Sequence, residues 1–313
     1  MMNPKAKTRK LSYHLKAALD NSNFTASEKN PRNIDWLRSS PFWLSHLAVI
    51  GLIWVGASPI AIGLCFLFYF VRMFGITGFY HRYFSHRSFR TSRVVQFLGA
   101  LLGASSAQRG PIWWASHHRH HHRHSDEPVD SHSPRQDGFW WSHVLWFLAD
   151  KNFPIKDDLV KDLNRYPELR FLDRYDYLVP LVYWGMCFLI GDLLATHYPE
   201  LGTNGWQMLV WAGFLSTVLL WHGTFTINSL AHRWGYARYE TGDDSRNNWF
   251  LAILTLGEGW HNNHHHYQHT ARQGFYWWEF DITYYILWLG SCIGLIKGLK
   301  QIPEGVRESS RAK

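Results

Sequence analysis

Cysteine is scarce in this chain. Its 313 residues hold only Cys65, Cys187 and Cys292, each inside an apolar run and none in a CxxC spacing. That excludes a disulfide-built scaffold and argues against thiolate zinc or iron–sulfur sites. Charged residues are also few, at 18%. The polar, basic residues 1–40 (Lys5, Lys7, Arg9, Lys10, Lys16) are not followed closely enough by an apolar run with a cleavage site to read as a secretory signal. No RNA- or DNA-binding motif accompanies the net charge of +8, which therefore reads as membrane topology and attraction to anionic lipid rather than nucleic-acid binding.

What is abundant is apolar and aromatic sequence, 46% and 17% of the residues. The mean hydropathy of -0.25 hides a split between long apolar blocks and very polar stretches. Phe42 to Ala57 is a run of about 16 residues; Ile60 to about Tyr80 follows after Ser58-Pro59, interrupted by Arg72. Read together they predict a helical hairpin turning at Gly56 to Pro59, with Arg72 snorkelling to an interface or facing protein. Leu178 to Ala195 and Trp206 to about Ile227 are two further blocks. At roughly 1.5 Å per helical residue, each block could cross much of a hydrocarbon core of roughly 30 Å. Val94 to Ser106 and Ile282 to Ile296 are shorter and fit interfacial or buried helices, and Trp and Tyr cluster beside the blocks.

Charge gives the orientation. The connections Gly56 to Pro59 and Thr196 to Gly205 carry no Lys or Arg, whereas the two tails and the 81–123 and 151–175 stretches are rich in them. Four spans put every basic segment on one side, which the positive-inside rule assigns to the cytoplasm, together with both termini.

Histidine is the most unusual component, at 20 residues. Positions i, i+3 and i+4 share one helix face, and that spacing occurs at His118, His121, His122 and again at His261, His264, His265. His81 and His86 end the second apolar run, and Asn228 with His232 ends the fourth. All four groups fall at or beyond helix ends on one membrane side. Neutral imidazole binds iron, zinc, copper or nickel, and this many donors far exceeds the need of one zinc ion. A ferritin-like set of Glu and Glu-x-x-His ligands is not found. The pattern points to a redox-active metal pair placed where acyl chains lie, able to act on unactivated C–H bonds. Periodicity alone leaves the register open: His117, His121 and His124 also satisfy helical spacing, and His120, His266 and His269 crowd the same segments. Isolated His14, His46, His143, His197 and His222 read as hydrogen-bonding or interfacial residues. Glu258 and Asp126 are possible acceptors behind ligand imidazoles.

The signatures HRYFSH at His81, WASHHRHH ending at His122, NSLAH from Asn228 and GEGWHNNHH ending at His265 resemble the membrane fatty-acyl desaturases of the stearoyl-CoA desaturase type, in family order and across roughly residues 40–295. The resemblance implies an all-α integral membrane protein: four transmembrane helices in a mushroom-like arrangement under a cytoplasmic helical cap holding a di-iron site. A membrane desaturase domain would span 41–296, between basic cytoplasmic tails at 1–40 and 297–313. Carried over position by position, the iron ligands are His81, His86, His118, His121, His122, His232, His261, His264 and His265, with Asn228 acting through a water. No catalytic residue beyond the metal ligands is implied. Gln108, Trp114 and Thr224 match the residues that pinch the family's acyl tunnel beside the irons.

The implied reaction uses two Fe2+ ions, dioxygen and two electrons to place a cis double bond, by family default at position 9, in a saturated acyl chain carried as acyl-CoA. His117 stands where animal enzymes carry an acidic residue that contacts the acyl-CoA headgroup, so an acyl-lipid or acyl-carrier substrate stays open. No fused cytochrome b5 signature HPGG follows the last apolar stretch, so electrons are expected from a separate cytochrome b5, ferredoxin or rubredoxin. The alternatives are a related histidine-box hydroxylase or monooxygenase and, in another class, a histidine-rich membrane metal transporter, which would place its ligands at mid-depth across the spans.

Overall fold

A computed structural model describes residues 19–23 and 32–309. Lys5 to Lys16 of the expected N-terminal tail lie outside the described residues. The chain is mostly helical. Helix α1 (Ser40–Val49) carries Pro41 in its first turn and is followed, after Ile50-Gly51, by one further turn, Leu52–Val55. Gly56 takes φ +66°, conformational space that glycine enters freely. Ser58 Oγ then accepts the Ala61 N–H at 3.1 Å ahead of Pro59, and that cap starts α2 (Pro59–Phe74).

From Gly75 to Ser85 the helix continues in π form. Helix α3 (Arg93–Ala104) lies against this segment because Gly99 and Gly103 have no Cβ; one added there would meet the Phe79 and Tyr80 rings at 2.0 and 2.2 Å. Helix α4 (Pro111–His124) carries the HxxHH segment. Its first N–H groups, on Ile112 and Trp113, are accepted by the buried Asp173 carboxylate at 2.9 and 2.7 Å, from α5 (Pro167–Arg174). Burial pushes the Asp173 carboxyl up to about 8.

Helix α6 (Leu178–His197) carries apolar residues on every side, interrupted by the exposed Asp192, as suits a helix facing lipid as well as protein. The next long helix starts at Gly205, passes through a π segment (Leu209–Leu215) and continues as α7 (Ser216–Ser229). The short helices α8 (Trp249–Leu254) and α9 (His261–His266) follow, then α10 (Ile282–Cys292), whose first turn is capped by Asp281. The apolar stretch expected as one unit to Ile296 is divided: α10 stops at Cys292, Gly294 takes φ +77°, and Ile296–Lys297 pairs antiparallel with Arg90–Thr91.

Three helices among the described residues are long and apolar enough to cross a membrane: Pro59–Ser85, Leu178–His197 and Gly205–His232. The first apolar block, Ser40–Val55, is shorter than these, ending where Gly56 leaves the helical conformation. The second and fourth blocks therefore run past their apolar sequence, and those polar extensions carry His81 and His232 into the histidine-rich part of the molecule.

Candidate metal centre

Four segments deliver the histidines. The π form of Gly75–Ser85 matters for the HxxxxH pair: in an α-helix residues five apart diverge by about 140°, whereas the i→i+5 bonding of a π turn, here His86 N–H to His81 carbonyl at 3.2 Å, keeps them together. Helix α4 presents His118, His121 and His122. The Gly205–His232 helix ends at His232, and α9 presents His261, His264 and His265.

Six-residue α9 would not hold its place unaided. Leu256 at φ +57° and Gly257 at φ +124° form the tight turn before it, and the two asparagines between its histidines anchor it. Asn262 Oδ1 accepts the Arg238 and Tyr239 N–H groups at 2.7 and 2.8 Å, and its amide donates to Tyr239 carbonyl. Asn263 is bonded to Asn247, Arg238, the Gln273 carbonyl and Glu279. Asn262→Ala strands buried backbone groups, each costing about 1–3 kcal/mol; thermal melts of the purified variant should show a stability loss of about 2–4 kcal/mol.

The histidine nitrogens gather into two groups, each with all donor atoms within 4.8 Å: His81, His86, His118, His122 and His264 in one, His121, His232, His261 and His265 in the other. Within the first, Nε2 of His86 lies 2.7 Å from that of His118, and Nε2 of His264 lies 3.0 and 2.9 Å from those of His81 and His122. In the second, the Nε2 atoms of His261 and His232 are 3.1 Å apart. The groups adjoin, with the His122 and His265 rings 4.5 Å apart.

Carboxylates sit behind the imidazoles. Nδ1 of His81 meets Glu258 at 2.5 Å, that of His121 meets Asp130 at 2.9 Å, that of His232 meets Asp126 at 3.0 Å and that of His265 meets Asp243 at 2.6 Å. Each accepts a hydrogen bond from Nδ1–H, holding the proton there and leaving the Nε2 lone pair facing the centre. Burial and then neighbouring imidazoles hold His86, His118, His122, His261 and His264 well below the ordinary histidine range, so they are neutral donors. Burial opposes charge on His121 too, but Asp130 outweighs it and raises that group. Burial also disfavours the charged forms of Asp126, Asp130 and Asp243, yet the bonded His232, His121 and His265 hold them below the usual carboxylate range.

This donor set fits metal ions. Neutral imidazole has one N–H; where a carboxylate takes it at Nδ1, the converging Nε2 lone pairs repel one another unless a cation lies among them. The buried Nε2 atoms of His121 and His265 have no hydrogen-bond partner. An all-nitrogen lining suits iron, zinc or copper by its chemistry.

The neighbouring histidines turn elsewhere. His117 Nε2 meets the Pro154 carbonyl at 3.1 Å, His124 pairs with Glu127 at the surface, and His266 stacks on Tyr239 and meets the Val306 carbonyl. His46, His222 and His143 form a hydrogen-bonded row ending at Ser229, apart from both groups. His132 adds to the sequence reading: it stacks on His121 at 4.3 Å, and burial lowers it to about 3.

A cavity of about 430 Å³ reaches the centre, lined there by His81, His118, His121, Asn228 and His261. Gln108 Nε2 donates to Thr224 Oγ1 across it at 2.9 Å, beside Trp114, which stacks on the His118 ring at 4.9 Å. Farther out it passes between Leu37, Pro41 and Phe42 of the α1 region and Tyr177, Leu181 and Trp184 of the α6 region.

Long apolar helices, paired histidine groups and an apolar cavity running up to them define a membrane oxidoreductase of the histidine-box class. The fatty acid desaturase family matches residues 57–288, and the chain belongs to that family. It is 36% identical over 280 residues to the sn-2 palmitoyl-lipid 9-desaturase of Nostoc sp. (strain 36), covering 88% of this chain and 93% of the relative. It is 35% identical over 281 residues to the sn-1 stearoyl-lipid 9-desaturase of Anabaena variabilis, covering 88% and 97%. With the Acyl-CoA C20 Delta5-desaturase of Anemone leveillei it shares 37% identity over 241 residues, covering 75% and 72%. The protein is thus a fatty acid desaturase, an oxidoreductase of lipid metabolism with a fatty acyl substrate, and the hydroxylase and transporter alternatives give way.

Proposed function

We propose that the chain inserts a cis double bond at position 9 of a saturated acyl chain, consuming dioxygen, two electrons and two protons and forming two waters. The observation that carries this reading is the convergence of histidine Nε2 atoms on the wall of an apolar cavity. His81, His86, His118, His122 and His264 would hold one iron; His121, His232, His261 and His265, with Asn228 through a water, would hold the other. Bound iron supplies the activation of dioxygen that breaking an unactivated C–H bond requires. Glu258, Asp130, Asp126 and Asp243 fix the imidazole tautomers, and the apolar walls exclude water. The Gln108–Thr224 bridge and Trp114 narrow the passage beside His118 and hold the chain bent at the bond to be oxidised.

The proposed architecture adds Ser40–Val55 as a fourth crossing, with the centre and both termini cytoplasmic by the distribution of basic residues. Residues 41–296 form the desaturase domain between basic tails at 1–40 and 297–313. A separate cytochrome b5, ferredoxin or rubredoxin supplies electrons, its acidic surface attracted by the basic cytoplasmic side.

For the acyl carrier, a membrane glycerolipid is favoured over CoA. Two relatives matching 88% of the chain are lipid 9-desaturases. The outer cavity passes between α1 and the start of α6, where Leu37 and Leu181 are exposed as lipid-facing residues would be. His117, at the position of the acidic headgroup residue, faces the Pro154 carbonyl inside the protein. Expression in a desaturase-deficient host should give a monounsaturated acid with its double bond at position 9, located by mass spectrometry. Membranes supplied with labelled stearoyl-lipid and with labelled stearoyl-CoA should convert the lipid directly. Unchanged lipid composition despite iron-loaded protein and a competent donor defeats the desaturase reading; conversion of the CoA ester alone defeats the lipid carrier.

A further inference from the structure

Arg72 is the cation that interrupts the apolar run of α2, and it is 2% exposed. Its guanidinium donates to Thr217 Oγ1 at 2.7 Å, Ser216 Oγ at 2.5 Å, and the carbonyls of Ser105 and Phe68 at 3.2 Å each. It also lies over the Tyr183 ring, 4.2 Å from its centre. Hydroxyls, carbonyls and an aromatic face thus solvate a charge inside a spanning helix, where charge is costly and its retention marks a function.

The position of this knot relative to the cavity is informative. The cavity is lined by Ile76 of the second apolar helix, Trp221 of α7, Trp184 of α6 and Ala107. Moving away from the histidines, the next turn of the second apolar helix from Ile76 brings Arg72, and the next turn of α7 from Trp221 brings Thr217, its hydrogen-bond partner. Both helices therefore place a member of one hydrogen-bonded knot a turn beyond the lining, and the Ser105 carbonyl and the Tyr183 ring join the same guanidinium. The Trp221 indole donates to the Ser106 carbonyl at 2.8 Å, and the Ser106 hydroxyl donates to the Arg72 carbonyl at 3.3 Å, closing the layer.

We propose that the Arg72 knot is the floor of the acyl tunnel and limits how many carbons lie beyond the bond being oxidised. This rests on the proposed acyl occupancy of the cavity. A methyl end that pushed farther would have to part a buried cation from hydrogen bonds it cannot replace. The floor acts as a steric and polar stop, and one surplus methylene against such a stop costs roughly 10–200-fold in selectivity.

The test uses the full chain in a desaturase-deficient host fed saturated acids of increasing length. Wild type should show a sharp upper limit. Arg72→Met should raise the yield from the acid two carbons longer, relative to the longest normally accepted, by about 10-fold or more; Arg72→Lys, which keeps the cation with a smaller head, should shift the ratio less and in the same direction. A readout free of turnover is the chain length beyond which saturated acids stop raising the Tm of purified protein, and it should lengthen in both variants. A knot that merely ties helices together would lower Tm and total yield and leave both length limits unchanged, which overturns the proposal. If Arg72→Met does not accumulate, Arg72→Lys decides by the same criterion. Wild type that makes no unsaturated product from any chain refutes the acyl reading itself, a separate outcome.

Discussion

Replacing His264 with alanine should abolish desaturation and lower bound iron, whereas His143→Ala should change neither. His264 is the hub of its group, its Nε2 facing those of both His81 and His122 at 3.0 and 2.9 Å. Changing a residue that only supports a metal ligand costs about 10–100-fold in affinity or activity, so removing a donor from the middle should exceed that range. His143 is also buried, but its bonds go to Ser229 and His222, and its loss should cost only about 1 kcal/mol of stability. Elemental analysis of purified protein and gas chromatography of cellular fatty acids provide both readouts. Survival of iron and turnover in the His264 variant would sink the ligand assignment.

The histidine spacing was readable in the sequence because helical periodicity puts i, i+3 and i+4 on one face. Choosing the His118 register over the His117 one required the family resemblance, and the structure turns His117 to a backbone carbonyl while His118 joins its group. Of the supporting carboxylates, Glu258 and Asp126 could be suspected beside their boxes. Asp130 and Asp243 could not: they reach His121 and His265 through loops whose geometry no periodicity encodes. The π form of Gly75–Ser85 was equally hidden, since the same residues read as an ordinary helix end. Composition marked Arg72 as anomalous but could not say where it points; its partners Ser216 and Thr217 lie 144 and 145 residues away. What short-range pattern carries is legible, and what long-range packing decides is not.

Glu258 shows how the site depends on such long-range packing. Its carboxylate meets His81 Nδ1 at 2.5 Å and accepts from Arg82 at 3.0 Å and Gln273 at 2.9 Å, while Arg82 also pairs with Asp281 at 2.8 Å. Burial alone would raise this carboxyl, but His81 and Arg82 outweigh it and hold it lowered, so it stays an anion. Two functions converge there: neutralising Arg82, and fixing the His81 proton on Nδ1 so that Nε2 faces the other histidines of its group. Glu258→Ala removes both and should destabilise the fold by about 3–5 kcal/mol, since a buried cation loses one of its anions. Glu258→Gln keeps the shape and a carbonyl acceptor for the His81 N–H but withdraws the charge. The glutamine variant should accumulate to a level at which iron binding can be measured, bind iron about 10–100-fold more weakly and lose activity in proportion. Excess iron should restore its turnover, whereas it should not restore that of the His264 variant, which lacks a donor altogether. Iron affinity equal to wild type in a folded glutamine variant would reduce Glu258 to an anchor for Arg82, and the basicity of His81 would then owe nothing to the charge behind it.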